Sequence, residues 1–168
     1  MSMFSRILTG PIDWDTASSE LKLQNLDQLR ADDPLLGKLA LQDGDAAVRQ
    51  GAMRRMDPAA LWDLVATVQP GDADALASLL APAVQAAPAL PPGLAHAGTV
   101  LRIALAAHLQ EEAPALALVA LLDHDADRAA VARGRGLISV RAAAARAIRD
   151  DALLEALATE FRDKQKNV

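Results

Sequence analysis

The run Val48-Arg-Gln-Gly-Ala-Met-Arg-Arg-Met-Asp-Pro-Ala-Ala-Leu-Trp-Asp-Leu-Val-Ala-Thr67 returns later in the chain as Val140-Arg-Ala-Ala-Ala-Ala-Arg-Ala-Ile-Arg-Asp-Asp-Ala-Leu-Leu-Glu-Ala-Leu-Ala-Thr159. The two align without a gap at an offset of 92, with eight identical positions. Met56 faces Ile148 and Asp63 faces Glu155, so two further positions keep their character. Alanine matches carry little weight in a chain so rich in Ala, but the opening Val-Arg and the closing Ala-Thr carry more. Each copy reads as a helical hairpin. Val48, Ala52 and Met56 recur every four residues and so share one helix face. Asp57-Pro58 ends that helix and suits the start of another, with Pro in the first turn. The second helix is expected to turn Leu61, Leu64 and Val65 inward. Neither helix is long enough to stand alone in water, so the pair has to stack on neighbours.

Weaker copies lie on either side. Leu23, Leu26 and Arg30, followed by Asp33-Pro34-Leu-Leu36 and Leu39-Ala40, repeat the hairpin one unit earlier. Leu101-Arg102, Leu105 and Leu109, then Pro114 and Leu116 to Leu122, repeat it again. The segment Asp72 to Ala87 has a helical pattern that Pro82 is expected to interrupt. Ala87-Pro-Ala-Leu-Pro-Pro-Gly93 is the clearest break and reads as an irregular connection near 87–93 within one repeat domain spanning 1–168, a hinge between two halves being the alternative. Asp43-Gly-Asp45 and Asp123-His-Asp-Ala-Asp127 read as turns between repeats that also cap the helices after them.

Composition agrees with an all-α class. Hydrophobic residues make up 52% of 168, aromatics only 2%, and there is no Tyr. Ala and Leu favour helices, and the β-branched and aromatic residues that favour strands are few. The net charge of −5 argues against general adhesion to DNA or an anionic membrane. The charge is uneven, however: residues 1–90 hold 7 basic and 12 acidic side chains, and residues 91–168 hold 10 of each. Cysteine is absent, which excludes disulfides, thiolate nucleophiles and cysteine-based zinc sites. The opening Met1-Ser-Met-Phe-Ser-Arg-Ile-Leu8 lacks a signal peptide's apolar core, and every apolar run is broken by Pro, Asp or Arg. A cytoplasmic protein with no membrane contact is the expectation.

Asp45-Ala-Ala-Val48-Arg49-Gln-Gly-Ala52 follows the pattern Asp-x-x-Val-Arg-x-x-Ala and resembles the first helix of a HEAT-like repeat. More narrowly, Phe4, Trp14, Asp33-Pro34-Leu-Leu36, the Val48-Arg49 unit and the closing Phe161-Arg-Asp-Lys-Gln-Lys-Asn-Val168 resemble the N-terminal repeat region of a group of bacterial HEAT-like/coiled-coil proteins. The resemblance implies an α-solenoid of four or five stacked antiparallel hairpins. It also implies a fragment, the N-terminal part of a longer protein, but it carries no implication of an activity; that no enzyme and no cofactor are expected rests on the missing catalytic motifs. The wider class mostly binds proteins along its stacked helices.

The sharpest candidate site is a run of six arginines without an acid among them: Arg128, Arg133, Arg135, Arg141, Arg146 and Arg149. The guanidinium fork bonds phosphate and carboxylate in bidentate fashion, so the run suits an acidic protein face, nucleic acid or phosphate. The competing reading is structural: the Arg after Val in each repeat (Arg49, Arg102, Arg141) pairs with an Asp of the adjoining turn. Arg133 and Arg135 look least structural, because Gly134 and Gly136 place them on a flexible segment. Of His96, His108 and His124, the last lies in the Asp-rich turn, which lacks the Gly and distal Glu of a calcium loop, and no metal site is expected. Trp62 reads as a packing residue. No catalytic motif emerges. The expected function is therefore a non-enzymatic scaffold binding a protein partner through its concave face, with nucleic-acid or phosphate binding through Arg128–Arg149 as the alternative. Leu153, read as facing inward, should cost several kcal/mol if changed to Asp.

Overall fold

The computed structural model describes residues 12–166, so the readings placed on Phe4 and the first eight residues, and on the last two residues, lie outside it. Among the described residues there are nine α-helices and no strand. They are α1 (Ser19–Asn25), α2 (Pro34–Gln42), α3 (Ala46–Arg55), α4 (Ala73–Ala86), α5 (Thr99–His108), α6 (Glu112–Ala120), α7 (Asp125–Arg133), α8 (Ile138–Arg146) and α9 (Asp151–Lys166). No described helix is long and apolar enough to cross a membrane. The chain divides into two compact units, one ending at Met56 and one beginning at Asp57.

In the first unit each helix starts on a side chain that accepts an orphan amide, the common device for fixing a helix N-terminus. Ser18 caps α1, Asp33 accepts from the Leu35 amide at 2.9 Å with Pro34 in the first turn, and Asp45 accepts from Ala47 at 2.7 Å. The turn residue Asp45 thus caps its helix as its sequence position suggests. Both α1 and α2 pack on α3. Leu26, Leu36, Leu39, Ala40, Val48, Ala52 and Met53 fill the space between them, each buried side chain of Leu size contributing about 2 kcal/mol.

The second unit opens with a difference from expectation. Residues Ala60–Leu64 form a 3-10 turn rather than a helix. Leu61, Leu64 and Val65 are buried as foreseen, and the turn packs on α4. Its carbonyls take i+3 bonds, as in Trp62 O with Val65 N at 3.3 Å. Val65, Thr67 and Val68 are β-branched and Pro70 comes soon after, so propagation into an α-helix stops early. A second difference is Pro82, which lies inside α4 without ending it. Its ring faces solvent while Leu76, Ala77, Leu80, Ala81 and Val84 bury the opposite face. That burial outweighs the one backbone bond proline removes.

The Pro-rich stretch 87–93 lies within the second unit, and α4 and α5, which it joins, pack against each other. Beyond α5 the packing obeys one rule. Helix α5 touches α6 and α7, α6 touches α8, and α7 touches α8 and α9. Leu101, Leu105, Leu109, Ala115, Leu118, Leu122, Ala129, Ala132, Val140 and Ala144 are all buried between these helices. The alanines leave no bulk where one helix crosses the next, which lets backbones approach.

Candidate functional site

The six arginines divide into two sets of three. Arg128 donates to the Asp125 carboxylate at 2.6 Å and to the Leu122 carbonyl at 2.6 Å. Arg133 donates to Glu160 Oε2 at 2.7 Å and so ties the end of α7 to α9. Arg141 donates from Nε to the Ala132 carbonyl at 3.0 Å and carries its guanidinium 5.8 Å from the Phe161 ring centroid, a cation–π distance. Arg135, Arg146 and Arg149 are exposed, and their side chains make no hydrogen bond or ion pair among the described residues. Arg133 therefore belongs with the structural arginines, although its place in the sequence pairs it with Arg135.

The arginines that come after valine or leucine in each repeat bond backbone carbonyls at helix ends. Arg49 Nη1 donates to the Asp43 carbonyl at 2.8 Å, at the C-terminal end of α2. Arg102 donates to the Ala97 carbonyl at 3.1 Å and also to the Leu121 carbonyl at the end of α6. With Arg141 on Ala132 in the last turn of α7, each of the three donates to a backbone oxygen at a helix end. The reason lies in helix geometry: the last four carbonyls of a helix lack intrahelical donors and carry the negative end of the dipole, which a guanidinium satisfies.

Gly134 and Gly136 are not placeholders for mobility. No glycine among the described residues has positive φ, and a Cβ on Gly136 would lie 2.9 Å from the Ala106 carbonyl oxygen and 3.4 Å from Ala107 Cα. Glycine is required there because the α7–α8 connection lies directly on the end of α5. A shallow cleft of about 400 Å³ forms at that junction, lined by residues including Leu109, Arg135, Leu137 and Ile138. Ile138 itself is 82% exposed, the most exposed large apolar side chain of the described chain. Sequence reading misses it, because in Leu137-Ile138-Ser-Val140 nothing distinguishes it from Val140, which is fully buried.

The Asp-rich turn is structural. Asp125 Oδ2 accepts the amides of Arg149 at 2.8 Å and Asp150 at 2.9 Å, while its Oδ1 holds Arg128. Its pKa is lowered, first by the Arg149 amide and then by Arg128 and the Asp150 amide, against a desolvation cost that pushes the other way. His124 is the N-cap position of α7 but makes no capping bond, so in this turn the carboxylate serves the start of a later helix instead of its own. No group of three or more His, Cys, Asp or Glu positioned to hold a metal ion occurs among the described residues. His108 Nε2 lies 2.9 Å from Asp74 Oδ1, joining α5 to α4, and His96 is exposed. Trp14 and Trp62 are both half-buried.

No family model, curated protein or solved structure matches the chain. The functional reading therefore rests on the residues themselves.

Proposed function

We propose that the chain is a HEAT-like α-solenoid, a non-enzymatic scaffold that binds a protein partner through its concave face. The observation that carries this reading is the packing rule of the second unit, in which each helix from α5 to α7 touches the helix two places on. Stacked hairpins pack in that way, α5, α7 and α9 forming one layer and α6 and α8 the other, and such layers offer long surfaces to extended partners. The recurrence of the Val-Arg unit and the use of Arg49, Arg102 and Arg141 to hold helix ends support the same repeat.

A second reading has its own observation. Arg135, Arg146 and Arg149 keep free guanidinium groups in a segment without acids, which suits a nucleic-acid or phosphate contact. One experiment separates the two. The immobilised chain is exposed to cell lysate with and without nuclease, and then washed at low and high salt. Protein retained after nuclease and through the salt wash supports the scaffold. If everything captured is lost with the nucleic acid, and generic polyanions bind in a salt-sensitive way that Arg135→Glu with Arg146→Glu abolishes, the scaffold reading is overturned in favour of the second.

A further inference from the structure

One helix end of the second unit lacks the guanidinium that comparable ends receive. In the α2–α3 and α7–α8 hairpins the arginine of the later helix holds the end of the earlier one, Arg49 on the Asp43 carbonyl and Arg141 on that of Ala132. In α4–α5 the equivalent Arg102 turns elsewhere, to the Ala97 carbonyl and to that of Leu121 at the end of α6. Nothing replaces it at the end of α4. The cap residue Ala87 donates no backbone bond there, and Pro88 has no amide to donate. The carbonyls of Val84, Gln85 and Ala86 accept no hydrogen bond among the described residues.

That end opens into a cleft between two helices. From α5 onward each helix packs on the one two places on, but α4 does not pack on α6. Just before α6 the Gln110 amide donates to Gln85 Oε1 at 3.0 Å, and a space of about 750 Å³ lies between the two helices. Pro82 of α4, Leu90 of the connection and Pro114 of α6 give it apolar walls. Of the residues lining it, only Glu111 is charged. Glu111 occupies the N-cap position of α6 without capping it, and its carboxylate has no hydrogen bond or ion pair among the described residues.

We propose, resting on the scaffold reading, that this cleft takes an arginine side chain of the partner protein. Negative charge reaches the cleft twice, from the dipole at the end of α4 and from Glu111, and no cation of this chain lines it. A guanidinium has donors for both, the free carbonyls on one side and the carboxylate on the other. The fold uses the same chemistry internally at the ends of α2, α6 and α7. The apolar walls suit the methylene stem that carries the guanidinium. A lone carboxylate at a helix start would mean little; the unserved end of α4 in the same cleft is what selects a hydrogen-bonding cation.

Titrating the full, isotope-labelled chain with blocked tripeptides at low salt, followed by NMR, tests it. Ala-Arg-Ala should give saturable shifts at amides within 85–90 and 111–117. Ala-citrulline-Ala, which keeps the shape without the charge, should give none. Glu111→Gln should weaken the arginine peptide about threefold. Glu111 is exposed, so circular dichroism should show unchanged helix content in the variant. No saturable shift in the cleft overturns the proposal, as does citrulline binding equally, or a Glu111→Gln chain that binds as tightly as the parent. Spermidine, a cation without a guanidinium, should bind more weakly; tighter binding makes the cleft a polyamine site and overturns the protein source. The scaffold reading fails separately, in the lysate capture. Protein retained by parent and Glu111→Gln chains alike, with no shift in the cleft, overturns the arginine site and leaves the scaffold standing. Arginine-peptide binding with no protein retained overturns the scaffold, and with it the protein source of the arginine.

Discussion

The two copies of the repeat share their first halves and part company in their second. In both, a hairpin (α2–α3 or α7–α8) buries the same two positions, Val48 with Ala52 and Val140 with Ala144, and in both the arginine after valine holds a carbonyl at the end of the preceding helix. After the hairpin, the first copy continues as the short 3-10 turn Ala60–Leu64 and the second as the 16-residue helix α9. Leu61 and Val65 align with Leu153 and Leu157, so the apolar pattern is the same and does not decide the outcome. The copies diverge in the next few residues, Val65-Ala-Thr-Val-Gln-Pro70 in one and Leu157-Ala-Thr-Glu-Phe-Arg162 in the other. Apolar spacing says which residues are buried; helix propensity and a stopping proline say how far the helix runs.

The largest expected effect probes that second half. Leu157 is 3% exposed and Leu153 only half-buried, so the inward face of α9 lies one turn later than sequence spacing indicates. Leu157→Ala should cost about 2–4 kcal/mol, and the same change at Leu153 distinctly less. Chemical denaturation of the two variants checks it. Equal losses would mean that α9 packs through the earlier turn, and Leu153→Asp would then carry the large cost its spacing suggests.

The connections between paired helices sharpen the comparison. Gly44 and Gly136 are equivalent at the offset of 92 and join α2 to α3 and α7 to α8. A Cβ on Gly44 meets nothing within 4 Å, whereas one on Gly136 strikes the Ala106 carbonyl. Gly136→Ala should therefore destabilise by about 1–3 kcal/mol. Gly44→Ala should be neutral or stabilising by a few tenths to about 1 kcal/mol, through the lower entropy of the unfolded chain. Thermal melts of the pair suffice, and a harmless Gly136→Ala would show that the loop can lift from α5.

Next in size are the arginines on helix ends. Arg49→Met and Arg141→Met keep the apolar stem but strand a carbonyl, so each should cost about 1–2 kcal/mol. If either proves silent in denaturation, the structural role of the Val-Arg unit fails for that copy.

Much of this is legible in the sequence. The all-helical class, the hairpin boundaries at Asp33-Pro34 and Asp45, and the buried Leu101, Leu105 and Leu109 come from spacing and capping chemistry that act within a few residues. The misreadings concern partners distant in sequence. Arg133 looks free because its partner Glu160 is 27 residues away, and Gly136 looks flexible because Ala106 is out of sight. The role of Asp125 is hidden for the same reason, its acceptor atoms being filled from residues 149 and 150.

That carboxylate supplies the smallest predicted effect and one that depends on pH. Asp33 and Asp125 are equivalent at the same offset; Asp33 accepts an amide of its own helix, while Asp125 bridges to the start of α9 and to Arg128. The folded protein binds the Asp125 proton more weakly than the unfolded chain, because its pKa is lowered from 3.8. Its contribution is thus fully present above the unfolded value near 3.8 and is lost as pH falls through the lower, folded one. Asp125→Asn, which cannot ionise, should melt below the parent at neutral pH, and the gap should close on acidification into that range. Asp43 and Asp45, whose pKa values are also lowered, keep titrating in the variant, so its melting temperature should still decline with acid. A gap that stays constant down to acid pH would mean that Asp125 acts through shape alone, leaving the two copies alike in electrostatics as well as in their first helices.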